Sequence, residues 1–211
     1  MRLFRLPVPR PGFVTCGGLV HICHAMTGVS PTLMETETRQ APEVAARLVA
    51  NASRPLADLG ARLRKLSPRV VVAAGRGSSG AASLFARYLI EQNLGVLTTS
   101  ATPSLSSVYG GRVDMGDAVV LAVSQSGQSP DLVQYCLTAG SQGAMRIGMI
   151  NAEHSALSSA VDTTLPLDAA PEKSVAATKS CLAAMLMSFG LVAHWRNDAA
   201  MIAAFEAAPD L

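Results

Sequence analysis

Aromatic side chains are scarce: one Trp, three Tyr and five Phe make up 4% of the chain. They do not alternate with Lys or Arg along any stripe, so a stacking platform for single-stranded nucleic acid is excluded. Charge is sparse as well, at 15% of residues with a net +2, too little for a surface that tracks a phosphate backbone. Residues 1–25 hold Arg2, Arg5 and Arg10 and no acid, so the remainder is close to neutral and faintly acidic. Cysteine is limited to Cys16, Cys23, Cys136 and Cys181, far apart and without a CxxC. That excludes a disulfide framework; the thiols read as reduced and the chain as cytoplasmic. Cys16, His21, Cys23 and His24 crowd together, but at the spacing of no common zinc module, so no metal is expected. Long apolar runs are missing. Cys181 to Ala193 is too short to span a membrane. Phe13 to Ala25 is interrupted by Gly17, Gly18, His21 and His24, unlike a signal peptide.

What the chain has in quantity is Ala, Val and Leu. Hydrophobic residues make up 49% and mean hydropathy is +0.31, which suits parallel strands covered by close-packed helices. A chain of 211 residues can bury its own core as one domain with appended ends. Alternate prolines at Pro7, Pro9 and Pro11 exclude helix near the start. Residues 1–25 therefore read as an extension, with Met26 the more natural start.

From there the order is regular. Helices are expected over 41–50, with Pro42 in its first turn, and over 55–66, forming an arm from residue 26 to 66. In the domain proper, 67–197, strands are expected at 69–74, 96–99, 118–123, 146–150 and 163–167. Helices fall at 80–93, 104–109, 130–139 and from about Ser174 to Trp195, with a helical turn at 156–160. Residues 198–211 read as a tail. Strand and helix alternate, which predicts right-handed crossovers and a five-stranded parallel sheet in a three-layer α-β-α sandwich, flavodoxin-like or Rossmann-like.

In such a sheet ligands bind beyond the carboxyl ends of the strands. Two loops at those ends carry anion-binding chemistry. Gly75-Arg76-Gly77-Ser78-Ser79-Gly80 leaves a strand and opens a helix, where glycines admit an anion to the backbone and the helix start offers free N–H groups. The string satisfies G-x-G-x-x-G, but the next strand ends Thr98-Thr99-Ser100 without the acid a dinucleotide ribose needs, which disfavours nucleotide binding. Ser124-Gln125-Ser126-Gly127-Gln128-Ser129 follows Val119 to Val123, and Pro130 opens the next helix. Hydroxyls and amides suit a phosphate monoester held without metal or cofactor. There is no Walker lysine, so a triphosphate is not expected.

Together with Ser174-Val175-Ala176-Ala177-Thr178-Lys179, these two segments resemble the three signature segments of the sugar isomerase (SIS) domain family. Within it they are similar to the first SIS domain of the isomerase half of glutamine–fructose-6-phosphate amidotransferases and to glutaminase-free aminosugar-phosphate deaminases and isomerases. The resemblance implies that Gly77, Ser78, Ser79, Ser124, Gln125, Ser126 and Ser129 hold the phosphate of a hexose 6-phosphate or aminosugar phosphate. Val175 and Ala177 would flank the sugar. Lys179 reads either as support for that loop or as a surface cation at the helix start. Gln128 stands where the family often has an acid, and Ala177 where the amidotransferase has serine. The resemblance also implies a second SIS domain, a tail and a glutaminase that this chain is expected to lack, and with them the family's proton-transfer groups. Glu172 and His154 remain as candidate bases, since C1–C2 isomerisation needs one over the sugar; Glu35 and Glu37 lie in an arm that in this family packs around the site. Three readings follow: part of an isomerase or deaminase, working as a homodimer or higher oligomer; a sugar-phosphate sensor or truncated half-enzyme; and, least favoured, a dinucleotide-binding domain.

Overall fold

In the computed structural model, residues 30–210 are described. The Cys16–His24 cluster and the extension ending at residue 25 lie outside them. Residues from Leu33 onward form one unit.

Two helices lead in, α1 (Leu33–Arg39) and α2 (Ala41–Leu66). They are followed by β1 (Val70–Ala74), α3 (Ser78–Leu94), β2 (Leu97–Ser100), α4 (Pro103–Ser107), β3 (Ala118–Ser124) and α5 (Pro130–Ser141). Next come β4 (Met145–Ile150), a 3₁₀ turn (Ser158–Ala160), β5 (Thr163–Pro166), α6 (Lys179–Arg196), α7 (Ala199–Glu206) and a closing 3₁₀ turn (Ala208–Asp210). The five strands pair in parallel in the order β2-β1-β3-β4-β5. From β1 the chain moves outward to β2, then returns to β3 and proceeds the other way. The strand order thus reverses between β1 and β3, and a crevice opens beyond their carboxyl ends. The register sets Ala74 opposite Ala122, so the loops leaving β1 and β3 start side by side.

Strand side chains alternate between the faces. Val71, Val119, Leu121, Val123, Ile147 and Met149 face a core shared with Leu48, Leu56, Ile90, Met187 and Leu191 from the helices. Val72, Ala74, Val120 and Ala122 face a second cluster with Leu132, Tyr135 and Cys136 of α5. Cys136 is buried and Cys181 half-buried, both as free thiols; burial pushes the Cys136 thiol up to about 12. No helix among the described residues is long and apolar enough to cross a membrane.

Two local expectations are corrected and two are made more specific. The two helices expected over 41–50 and 55–66 are one 26-residue helix, with Pro55 inside it. Pro55 has no N–H for the carbonyl four residues back. Yet Val44, Leu48, Ala52, Leu56, Leu59 and Leu63 are all buried along one unbroken face, and burying that face outweighs one lost hydrogen bond. The last long helix starts at Lys179 rather than Ser174, for a reason given below. The helical turn after β4 is a 3₁₀ turn of three residues. Most of the stretch read as a tail forms α7, with the Asp198 carboxylate accepting the Ala200 and Met201 N–H groups, each at 3.1 Å. Phe205 of α7 is fully buried in the same core as Leu56.

Candidate functional site

The first loop turns from β1 into α3 at close quarters. A side chain on Gly75 would place its Cβ 2.5 Å from both the Ser79 carbonyl and the Ser83 hydroxyl. Gly77 sits at the N-cap of α3 with nothing within 4 Å of the position a Cβ would take. The first-turn N–H groups of Ser78 and Ser79 find no carbonyl partner among the described residues, as expected for the start of a helix.

The second loop is held by its own hydroxyls. Ser124 Oγ accepts the Gly127 N–H at 2.9 Å, and Ser126 Oγ accepts the Gln128 N–H at 3.3 Å. Each hydroxyl therefore accepts one hydrogen bond from its own loop and keeps its proton free to donate outward. Gly127 has a φ of +62°, and a Cβ there would lie 2.1 Å from Ser155 Oγ. Ser155 cannot easily retreat. Its N–H donates to Ser158 Oγ at 2.9 Å and its carbonyl accepts from that hydroxyl at 2.7 Å.

A third loop, 171–178, closes over these two. Glu172 Oε1 accepts the N–H groups of Thr178 at 2.8 Å and Ser180 at 3.4 Å, while Oε2 accepts the Ser180 hydroxyl. A carboxylate at that point caps the first turn of α6 and offsets its positive end, which is why the helix begins at Lys179. Glu37 of α1 fastens the loop from the other side, accepting Lys173 N–H at 2.6 Å and Ser174 N–H at 3.0 Å. Hydrogen bonding from the Ser174 side chain, then from the Lys173 backbone, holds the Glu37 carboxyl below the usual range. Lys179 is 2% exposed. Its ammonium donates to Gln40 Oε1 at 2.7 Å and to the Pro171 carbonyl at 2.8 Å, so it is a brace for this loop and not a surface cation. Between these anchors the tip is bare: Val175 is fully exposed.

The three loops enclose a cavity of about 220 Å³. Gly77, Ser78, Ser79, Ser124, Gln125, Ser126, Ser129, Val175 and Ala177 all line it, so the structure brings together every residue assigned to the phosphate and the sugar. It adds Val123 and Leu132 as an apolar floor, and Arg76. A neighbouring space of about 540 Å³, lined among others by Arg47, Asn151, Glu153, Asp168 and Glu172, shares Gln125 with it. Asp168 and Ala170, at φ +50° and +56°, form its strained rim, held by Arg47 on the Asp168 carbonyl and Asn151 on the Ala170 carbonyl.

The two base candidates fare differently from the serines. Glu172 lies in the wall of the larger space, but both its oxygens are engaged at the start of α6. His154 is exposed, at φ +39°, and lines neither space. Among the described residues no three His, Cys, Asp or Glu side chains converge as for a metal ion.

An open parallel sheet with two serine-bearing loops at its reversal point defines a class of α/β ligand-binding domains. Sequence comparison names the family. The SIS domain profile matches residues 65–194, more than half of the chain, and the chain belongs to that family. It is 40% identical over 113 residues to glutamine–fructose-6-phosphate aminotransferase (isomerizing) of Aeropyrum pernix, covering 54% of this chain and 18% of that protein. It is 35% identical over 135 residues to the enzyme of that name from Thermus thermophilus, covering 64% of this chain and 22% of that protein. Among solved structures, a candidate phosphosugar isomerase from Silicibacter pomeroyi superposes with a TM-score of 0.82 at 36% identity, covering 85% of this chain and 55% of that one. The chain thus spans about a fifth of those curated relatives and about half of that solved one.

Proposed function

We propose that this chain holds the phosphate of a hexose 6-phosphate or aminosugar phosphate in the cavity between the serine loops, as the sugar-phosphate-binding part of an aminosugar-phosphate isomerase or deaminase. One observation carries the reading. Hydroxyls anchored by one accepted loop N–H each, with their protons free to donate, and two helix starts, α3 and α5, converge on one small space at the sheet's reversal point. Donors without competing partners are what a phosphate monoester requires. At about 220 Å³, the space is below the ~300–1,000 Å³ that engulfs a whole drug-sized ligand. Only the phosphate end enters, and the sugar carbons lie at the mouth beside Val175 and Ala177. The named relatives act on fructose 6-phosphate or are described as phosphosugar isomerases, which supports the substrate class. Binding at the phosphate then positions the reacting carbons.

A second reading has its own support: with Glu172 engaged as a helix cap and His154 away from the cavity, neither of the two candidate bases stands free over the sugar. Under it the chain is a sugar-phosphate binding module, and turnover needs groups from another domain or from a partner copy in a homodimer or higher oligomer. Calorimetric titration with fructose 6-phosphate and glucosamine 6-phosphate, followed by assays for ammonia release and ketose–aldose conversion, separates the two. Binding with turnover supports the enzyme; binding without it supports the module. Replacing Ser124 and Ser126 together by Ala removes two charge-assisted bonds of about 1.5–3 kcal/mol each and should abolish detectable binding. A double variant that binds like the parent sinks both readings.

A further inference from the structure

Among the described residues lining the 220 Å³ cavity, Arg76 is the one side chain with a formal charge. It lies between Gly75 and Gly77 of the first loop and reaches across the mouth to Asp131 in the first turn of α5. There its Nη1 meets the Asp131 carboxylate at 2.6 Å. The contact uses one nitrogen of a group that can present five donors in a planar fork. Arg76 also lines a wider space on the far side of that ion pair, with Ser104, Val108 and Gln134, so the pair stands as a partition between the cavity and open surface.

Two features make the partition exchangeable. The Arg76 side chain is 68% exposed, and an ion pair this open contributes little to stability and is easily given up. Asp131, only 24% exposed, does not depend on Arg76, because a carboxylate in the first turn of a helix is stabilised by the helix itself. A phosphate monoester dianion offers the guanidinium a bidentate partner that a single carboxylate oxygen does not.

We infer that Arg76 is an exchangeable anion clamp: in the free protein it is parked on Asp131, and an entering phosphate monoester takes the guanidinium from that carboxylate. The inference rests on the reading of the cavity given above. It assigns opposite roles to the two members of one ion pair. Arg76 stabilises the bound state, whereas Asp131 competes with the ligand for Arg76 and, once released, repels a dianion beside it.

The test is calorimetric titration of the full chain and two variants with inorganic phosphate and with glucosamine 6-phosphate, with thermal melts as a folding control. Arg76→Gln should weaken both probes about tenfold, the scale of one charge-assisted bond. Asp131→Asn should tighten both about threefold, the scale of a partly exposed charge pair. A structural tie without exchange gives another pattern: melting shifts in both variants and no gain in affinity in Asp131→Asn. That pattern, or Arg76→Gln binding like the parent, overturns the clamp. If Arg76→Gln fails to fold, the sign of the Asp131→Asn change decides alone. If the parent itself binds neither probe, the cavity reading falls and the clamp with it, whereas a parent that binds and an Asp131→Asn that does not tighten refutes only the clamp.

Discussion

Replacing Gly127 by Ala is the sharpest perturbation of the second loop, and its cost can be built from two parts. The first is conformational. At φ +62° an L-residue is forced into left-handed space, at about 1–2 kcal/mol. The second is steric. The new Cβ would lie 2.1 Å from Ser155 Oγ and 2.5 Å from Ser155 Cβ. Ser155 is pinned by its bonds to Ser158, so relief must come from the loop itself, an overpacking cost of about 1–3 kcal/mol. The expected total is about 2–5 kcal/mol. Gly95 supplies the control. It caps α3 at φ +66° with nothing within 4 Å of the position a Cβ would take, so Gly95→Ala carries only the conformational part, about 1–2 kcal/mol. Urea unfolding of both variants measures the difference, and phosphate titration supplies a second axis. Gly127→Ala moves the N–H that holds Ser124 Oγ and should lose affinity, whereas Gly95→Ala should keep it. Equal destabilisation of the two, with affinity unchanged in both, would refute the argument that Ser155 dictates glycine at this position.

Two further outcomes are expected. Lys179→Met removes two charge-assisted bonds, each of about 1.5–3 kcal/mol, partly offset by no longer burying an ammonium. The net loss should be about 2–4 kcal/mol in urea unfolding, with faster amide exchange confined first to residues 171–178; unchanged exchange there would show that the loop stands without its brace. Asp162 is held below the usual carboxylate range chiefly by the Arg146 guanidinium, with Nη2 on Oδ1 at 2.5 Å and Nε on Oδ2 at 3.0 Å. A depressed carboxyl stabilises the fold above its unfolded value and loses that contribution as pH falls through the folded one. Stability of the parent should therefore decline below about pH 4 more steeply than that of Asp162→Asn; parallel acid limbs in the two proteins would count against it.

Which of these features could be read from the chain follows from how local their causes are. β3 was legible because seven consecutive residues are buried on both faces, so its apolar run has no polar break until Ser124. The two serine loops were legible because glycine and serine cluster where a strand hands over to a helix. Pro55 misled because it is a local stop signal, whereas the face that carries α2 through it is satisfied by distant partners, chiefly α6, with α7, β5 and the closing 3₁₀ turn. The start of α6 misled for a similar reason: the cap is Glu172, outside the helix, acting across a loop that reads as good helix. Glu172 stood only as a candidate base in the sequence because its partners at Thr178 and Ser180 appear only once that loop folds back. Arg76 and Asp131 lie 55 positions apart, and only the adjacency of β1 and β3 brings them together. Lys179 and Gln40 are 139 apart, which left the lysine's role open until the arm was seen against the loop.

The brace has a bearing on where this domain can be cut. The family profile starts at residue 65, and a fragment trimmed to that boundary keeps every serine of the cavity. It loses Glu37 and Gln40, and with them the fastening of the third loop on one side, as well as the whole apolar face of α2. Such a fragment would carry the recognisable signature without the fastening of its third loop, so the span that identifies the family is shorter than the span that holds that loop in place.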